Sequence, residues 1–98
     1  MSYWLHEEAE RELGDAAVYY AEHSTPKIAI SFLAEFERVI ELLQLNQQLG
    51  TQKEEGMRRY PFRRFPYSRV YRENEEAGPQ VYAVAHQSQE PGYWQGQQ

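Results

Sequence analysis

MRRYPFRRFPYSRVYRENEEAGPQVYAVAHQ, residues 57–87, decides the fold. Three runs in it, Arg58–Phe62, Phe65–Arg72 and Gln80–Gln87, carry the aromatic and β-branched residues of β-strands. Between the last two lies ENEEAGP, a polar turn closed by Gly78-Pro79. Pro61 and Pro66 interrupt the first two runs. Proline cannot donate to a sheet ladder, so an edge position or a bulge is expected there.

Upstream of Gly56 the period is helical. In HEEAERELGDAAVYYAEHS, Ala9, Leu13, Ala16, Ala17 and Tyr20 recur on one face, which predicts a helix from about His6 to Glu22. Glu7, Glu8 and Glu10 fall in its first turns, where the helix dipole favours negative charge. Thr25-Pro26 opens a second helix, with Thr as N-cap and Pro at the first helical position. Ala29, Phe32, Leu33, Phe36, Val39, Ile40 and Leu43 give that helix a wide apolar stripe and are assigned to the core, and Gly50 is its expected stop. The short link makes the two helices antiparallel neighbours. Ser2–Leu5 reads as a brief opening strand. Of the adjacent Tyr19 and Tyr20, one is expected in the core and the other outside it, because neighbours on a helix face different ways.

The order is strand, helix, helix, strand, strand, strand, an α+β arrangement with a helix hairpin on one face of a three-stranded antiparallel meander. Residues 1–98 are read as a single domain, the size at which one core suffices. On this reading the second sheet face lacks a covering element, and function is expected there.

Charge is unevenly spread. The chain carries a net charge of −5, yet residues 57–72 hold six arginines and no acid. Such a stripe meets a polyanion or an acidic peptide. There is no cysteine, which excludes a disulfide framework and thiolate chemistry. MSYWLHEEAE has charges by position 7 and is not a secretory leader, and no segment has the length of a membrane span. A cytoplasmic protein with no membrane partner is expected. His6, His23 and His86 lack ligand-like spacing and the glycines are scattered, so neither metal nor cofactor is expected.

FPYSRVYR at 65–72 and AVAHQSQEPGYW at 83–94 resemble the RelE/ParE toxin superfamily, and its ParE-like plasmid-stabilisation branch above all. The pattern is Phe-Pro-Tyr before a strand ending in Tyr-Arg, then Ala-Val-Ala-His, a link, and Pro-x-Tyr-Trp. It is met by Phe65, Pro66, Tyr67, Tyr71, Arg72, Ala83, Val84, Ala85, His86, Pro91, Tyr93 and Trp94. The resemblance implies a toxin of a type II toxin–antitoxin pair, held by a cognate antitoxin. ParE-type members poison DNA gyrase, and RelE-type members cut mRNA in the ribosomal A site.

Metal-free RNA cleavage needs a proton acceptor, a proton donor and cations fixed on the phosphate. The phosphate-facing arginine of the nuclease branch falls on Ser68 here, and the link Gln87-Ser88-Gln89-Glu90 has no base. These departures favour a gyrase-binding toxin. In that reading Arg63, Arg64 and Arg69 form the surface for an anionic partner, and His86 through Tyr93 and Trp94 shape the target or antitoxin contact. In the nuclease reading His86, Arg69 and Tyr93 are the catalytic candidates. His86 is also an ordinary strand-end histidine, Tyr93-Trp94 an aromatic clamp for the tail, and the arginines a solvated face. A third reading is an antitoxin-binding module without toxic activity. Direct nucleic-acid contact, self-association and the antitoxin family stay open at this level.

Overall fold

A computed structural model of the protein describes residues 3–87. The helices begin where the capping residues place them. α1 spans Glu7–His23, and the His6 ring nitrogen Nδ1 accepts the Glu8 N–H at 3.1 Å, satisfying one of the donors a helix start leaves open. α2 spans Pro26–Leu45, and Thr25 Oγ1 accepts the Ile28 N–H at 3.2 Å. α2 ends before Gly50. Asn46 stops it and caps a single 3₁₀ turn, Gln47–Leu49. Gly50 has a different task from the expected helix stop. Its N–H donates to the Tyr71 hydroxyl at 2.9 Å, and a Cβ there would lie 2.6 Å from that oxygen.

The strands are β1 (Trp4–Leu5), β2 (Thr51–Gln52), β3 (Met57–Pro61), β4 (Tyr67–Arg72) and β5 (Gln80–His86). They form one sheet in the order β1-β5-β4-β3-β2. The β3-β4-β5 meander is antiparallel as expected, but β1 pairs parallel with β5, so the sheet is mixed. β2 has no counterpart in the sequence reading; two polar residues carry no strand period. Pro61 lies beyond Arg59, the last residue β2 pairs, so its missing N–H costs the ladder nothing.

The bulge falls elsewhere than at the prolines. Val70 pairs with Ala83 but Tyr71 pairs with Val81, which leaves Tyr82 as an extra residue in β5. The slip changes which side chains face the helices. Val81 and Val84, three apart, both enter the helix-side core. Tyr82, Ala83 and Ala85 belong to the other face, where Tyr82 lies edge-on to Trp4 at 5.5 Å. β1 covers only the start of β5. Further along, Glu12 of α1 accepts the Val84 N–H at 3.0 Å and occupies that part of the strand edge.

The main core lies between the helices and the sheet, with Phe32, Phe36, Val39 and Leu43 of α2 against Tyr71 and Val84. Tyr20 packs there on Phe32 and Phe65, at 5.4 and 5.3 Å between rings, whereas Tyr19 is 54% exposed. Leu33, assigned to the core from sequence, sits at its margin and is 40% exposed. The opposite sheet face is not bare either. Met57, Val70, Ala83 and Ala85 form a second buried cluster on it. The expectation that this face is left bare is therefore corrected at these four residues.

Candidate functional site

β3 and β4 are joined by a turn over residues 62–66. One bond ties its ends across the ladder, Phe62 N–H donating to the Tyr67 carbonyl at 2.9 Å, and one tightens it from within, Tyr67 N–H donating to the Phe65 carbonyl two residues back at 2.8 Å. Phe62 is buried, and Phe65 packs edge-on against Phe32 at 5.2 Å. Two aromatic anchors thus hold the two arginines between them. Arg63 and Arg64 point outward and are exposed. Among the described residues neither guanidinium makes a hydrogen bond or an ion pair.

The turn is pinned to α2 by one carboxylate. Glu35 Oε2 accepts the Arg63 backbone N–H at 2.6 Å. The same carboxylate is forked by Arg38, whose Nε and Nη2 lie 2.7 and 2.6 Å from its two oxygens. Glu35 is only 10% exposed at its side chain and Arg38 30%, so the pair is sheltered from solvent screening. The Arg38 guanidinium holds the Glu35 carboxyl below the usual carboxylate range, against the opposing push of burial and with help from the Arg63 N–H. Arg64 has φ of +67°, the left-handed region that side chains other than Gly, Asn and Asp seldom adopt. Holding an arginine in that region costs on the order of 1 kcal/mol, which is tolerated where the surroundings fix the backbone. Between turn and α2 runs a groove of about 410 Å³, lined by Ser31, Ala34, Glu35, Arg38, Arg63 and Arg64 together with Phe65.

Arg69 does not join them. It is 0% exposed and lies under α2. Strand alternation explains this. Tyr67, Arg69 and Tyr71 share one face, and the two tyrosines belong to the helix-side core, so Arg69 is carried in with them. Its Nη2 donates to the Phe36 carbonyl at 2.7 Å and its guanidinium carbon lies 3.9 Å over the Phe36 ring. Nε and Nη1 have no hydrogen-bond partner among the described residues. Burial pushes the Arg69 pKa down to about 9. The assignment of Arg69 to a partner surface, and to a phosphate in the nuclease reading, is thus corrected.

His86 lies on the helix side as well, opposite Tyr67 and edge-on to its ring at 5.0 Å. A separate groove of about 330 Å³ there is lined by Glu12, Asp15, Tyr19, Tyr67 and His86, and Arg11 is the one arginine or lysine on it among the described residues. Arg11 is already paired with Glu8 and, at 3.4 Å, with Asp15. The two grooves share no residue, so the histidine and the free arginines are not gathered into one site. Tyr93 and Trp94 lie outside the described residues. Among the described residues no three His, Asp or Glu side chains group as metal ligands, and no helix is long and apolar enough to cross a membrane.

Sequence reading missed Glu35 and Arg38. Their i, i+3 spacing was visible, but nothing local says that this flank of α2 meets the β3–β4 turn.

The family model described as "ParE toxin of type II toxin-antitoxin system, parDE" matches residues 3–91. A solved structure from the chromosomal ParDE TA system of P. aeruginosa superimposes with a TM-score of 0.74 at 22% identity, covering 88% of this chain and 95% of that one. Among curated proteins there is no significant match. The fold is shared with that structure, and the family match spans most of the sequence: the chain belongs to the ParE toxin family of type II toxin–antitoxin systems.

Proposed function

We propose that this toxin acts by binding DNA gyrase rather than by cleaving RNA, and that a cognate antitoxin neutralises it by occupying its surface. The observation that carries the reading is the separation of the chemistry. Arg63 and Arg64 line one groove, the histidine lies in another whose Arg11 is already tied to Glu8 and Asp15, and Arg69 is buried where no phosphate reaches it. A metal-free nuclease needs its proton-transfer groups and its phosphate cations within contact of one scissile bond. A binding toxin needs only a charged surface held in place, which the pinned turn provides. Family membership supports the toxin role, and the resemblance to the gyrase-poisoning branch supports the target.

Induction in cells without antitoxin separates the readings. The gyrase reading predicts early induction of the DNA-damage response while protein synthesis continues. Immediate arrest of translation with new A-site mRNA cuts and no DNA-damage signal would overturn it. Unimpaired growth at full expression would leave the module reading in its place.

A further inference from the structure

Arg63 and Arg64 are adjacent, exposed and, among the described residues, without a side-chain hydrogen bond or ion pair, on a turn tied down by one ladder bond, one bond within the turn and the Glu35 carboxylate. An arginine at φ +67° is an expensive way to make a turn, since glycine takes that backbone freely. What arginine adds is a guanidinium carried on a backbone whose direction the turn fixes. The groove beside it has small residues, Ser31 and Ala34, where a larger side chain would fill the space. Its charge runs against the rest of the molecule: the chain is net −5, while this groove holds three arginines around one carboxylate.

We infer that the groove between α2 and the β3–β4 turn receives an acidic peptide segment of the antitoxin, clamped by Arg63 and Arg64, with Glu35 as the positioning residue that aims them. The antitoxin as occupant rests on the toxin–antitoxin reading above. Charge complementarity decides for a peptide over nucleic acid. The arginine fork matches a carboxylate, and the small residues leave room for a backbone. A nucleic acid would also have to bring a continuous line of phosphates onto a chain of net charge −5.

Glu35 gives the inference a sharp test. Removing its carboxylate makes the groove more positive, so unspecific attraction would strengthen binding to an acidic chain. Loss of positioning would weaken it. The probe is a fluorescein-labelled peptide of alternating Glu and Ala, titrated by anisotropy into the full chain, with oligo-dT of equal length as comparison. R63Q/R64G keeps the Arg63 N–H and suits the left-handed position, and should weaken peptide binding by about tenfold or more, the scale of losing a charge-assisted contact. E35A should weaken it by about threefold to tenfold, with the melting curve showing the chain still folded. The inference is overturned if the wild type does not bind the peptide, if R63Q/R64G binds as the wild type does, if E35A binds more tightly, or if oligo-dT binds better through the same arginines. Gyrase assays stand apart from this result. Peptide binding with gyrase unaffected keeps the groove and removes the target, whereas inhibited gyrase with no peptide binding removes only the groove.

Discussion

The guanidinium of Arg69 lies 3.9 Å over the Phe36 ring and donates to the Phe36 carbonyl at 2.7 Å, yet two of its nitrogens have no hydrogen-bond partner among the described residues. A buried cation so incompletely matched is a load on the fold. R69M, which keeps the volume and drops the charge, should stabilise the protein by about 1–4 kcal/mol. At about 4–8 °C per kcal/mol for a domain near this size, the melting temperature rises by several degrees. A lower melting temperature for R69M would show that the ring contact and the single hydrogen bond outweigh burial.

The same residue sets a pH dependence. With the folded pKa down at about 9, the unfolded chain binds more protons between there and the ordinary arginine range. Wild-type stability therefore gains as pH rises through 9, and its deficit relative to R69M is full below that and narrows above it. Melting curves of both proteins from pH 7 upward check this; a gap constant with pH would contradict it.

Tyr71 is buried, donates to the Gln47 carbonyl at 2.6 Å and accepts from Gly50 at 2.9 Å. Y71F leaves both backbone groups unsatisfied and should cost about 1–3 kcal/mol. G50A pushes a methyl against the same hydroxyl and should cost a similar amount, about 1–3 kcal/mol of overpacking. Because both changes break one contact, the double variant should lose less than the two costs added. Chemical denaturation of the four proteins measures this.

Much of this architecture was legible in the sequence. Thr25 and Pro26 mark the start of the second helix because capping is local chemistry, and apolar period with early acids marks the first to within a residue, whereas the His6 cap itself was not read. The alternation of Tyr67, Arg69 and Tyr71 is equally plain, but alternation says only that residues share a face, not which face. The Tyr82 bulge was hidden, since it arises from pairing with β4, and it moves Val84 to the side where the helices lie. The groove itself joins α2 to a turn about 28 residues further on, a contact that only the folded chain creates.

Glu35 supplies a prediction at acid pH. Its folded pKa is depressed, so its stabilising contribution is complete above the ordinary carboxyl range and is lost as pH falls through the folded value. The melting-temperature difference between wild type and E35Q should be widest near neutrality and shrink toward pH 3. A difference unchanged across that range would mean that the charge on Glu35 does not hold the turn.

His86 separates binding from cleavage. H86A should arrest growth as the wild type does, to within about twofold in the expression level required, since only the tenfold losses typical of a removed general base would signal catalysis. Loss of toxicity with an intact fold and unchanged binding to gyrase would return His86 to the catalytic candidates.

The most direct measurement is DNA supercoiling by purified gyrase in the presence of the purified toxin. The account predicts inhibition with accumulation of cleaved, gyrase-linked DNA at micromolar toxin, and relief when the antitoxin is added. Full supercoiling activity and no trapped cleavage complex under those conditions would contradict it.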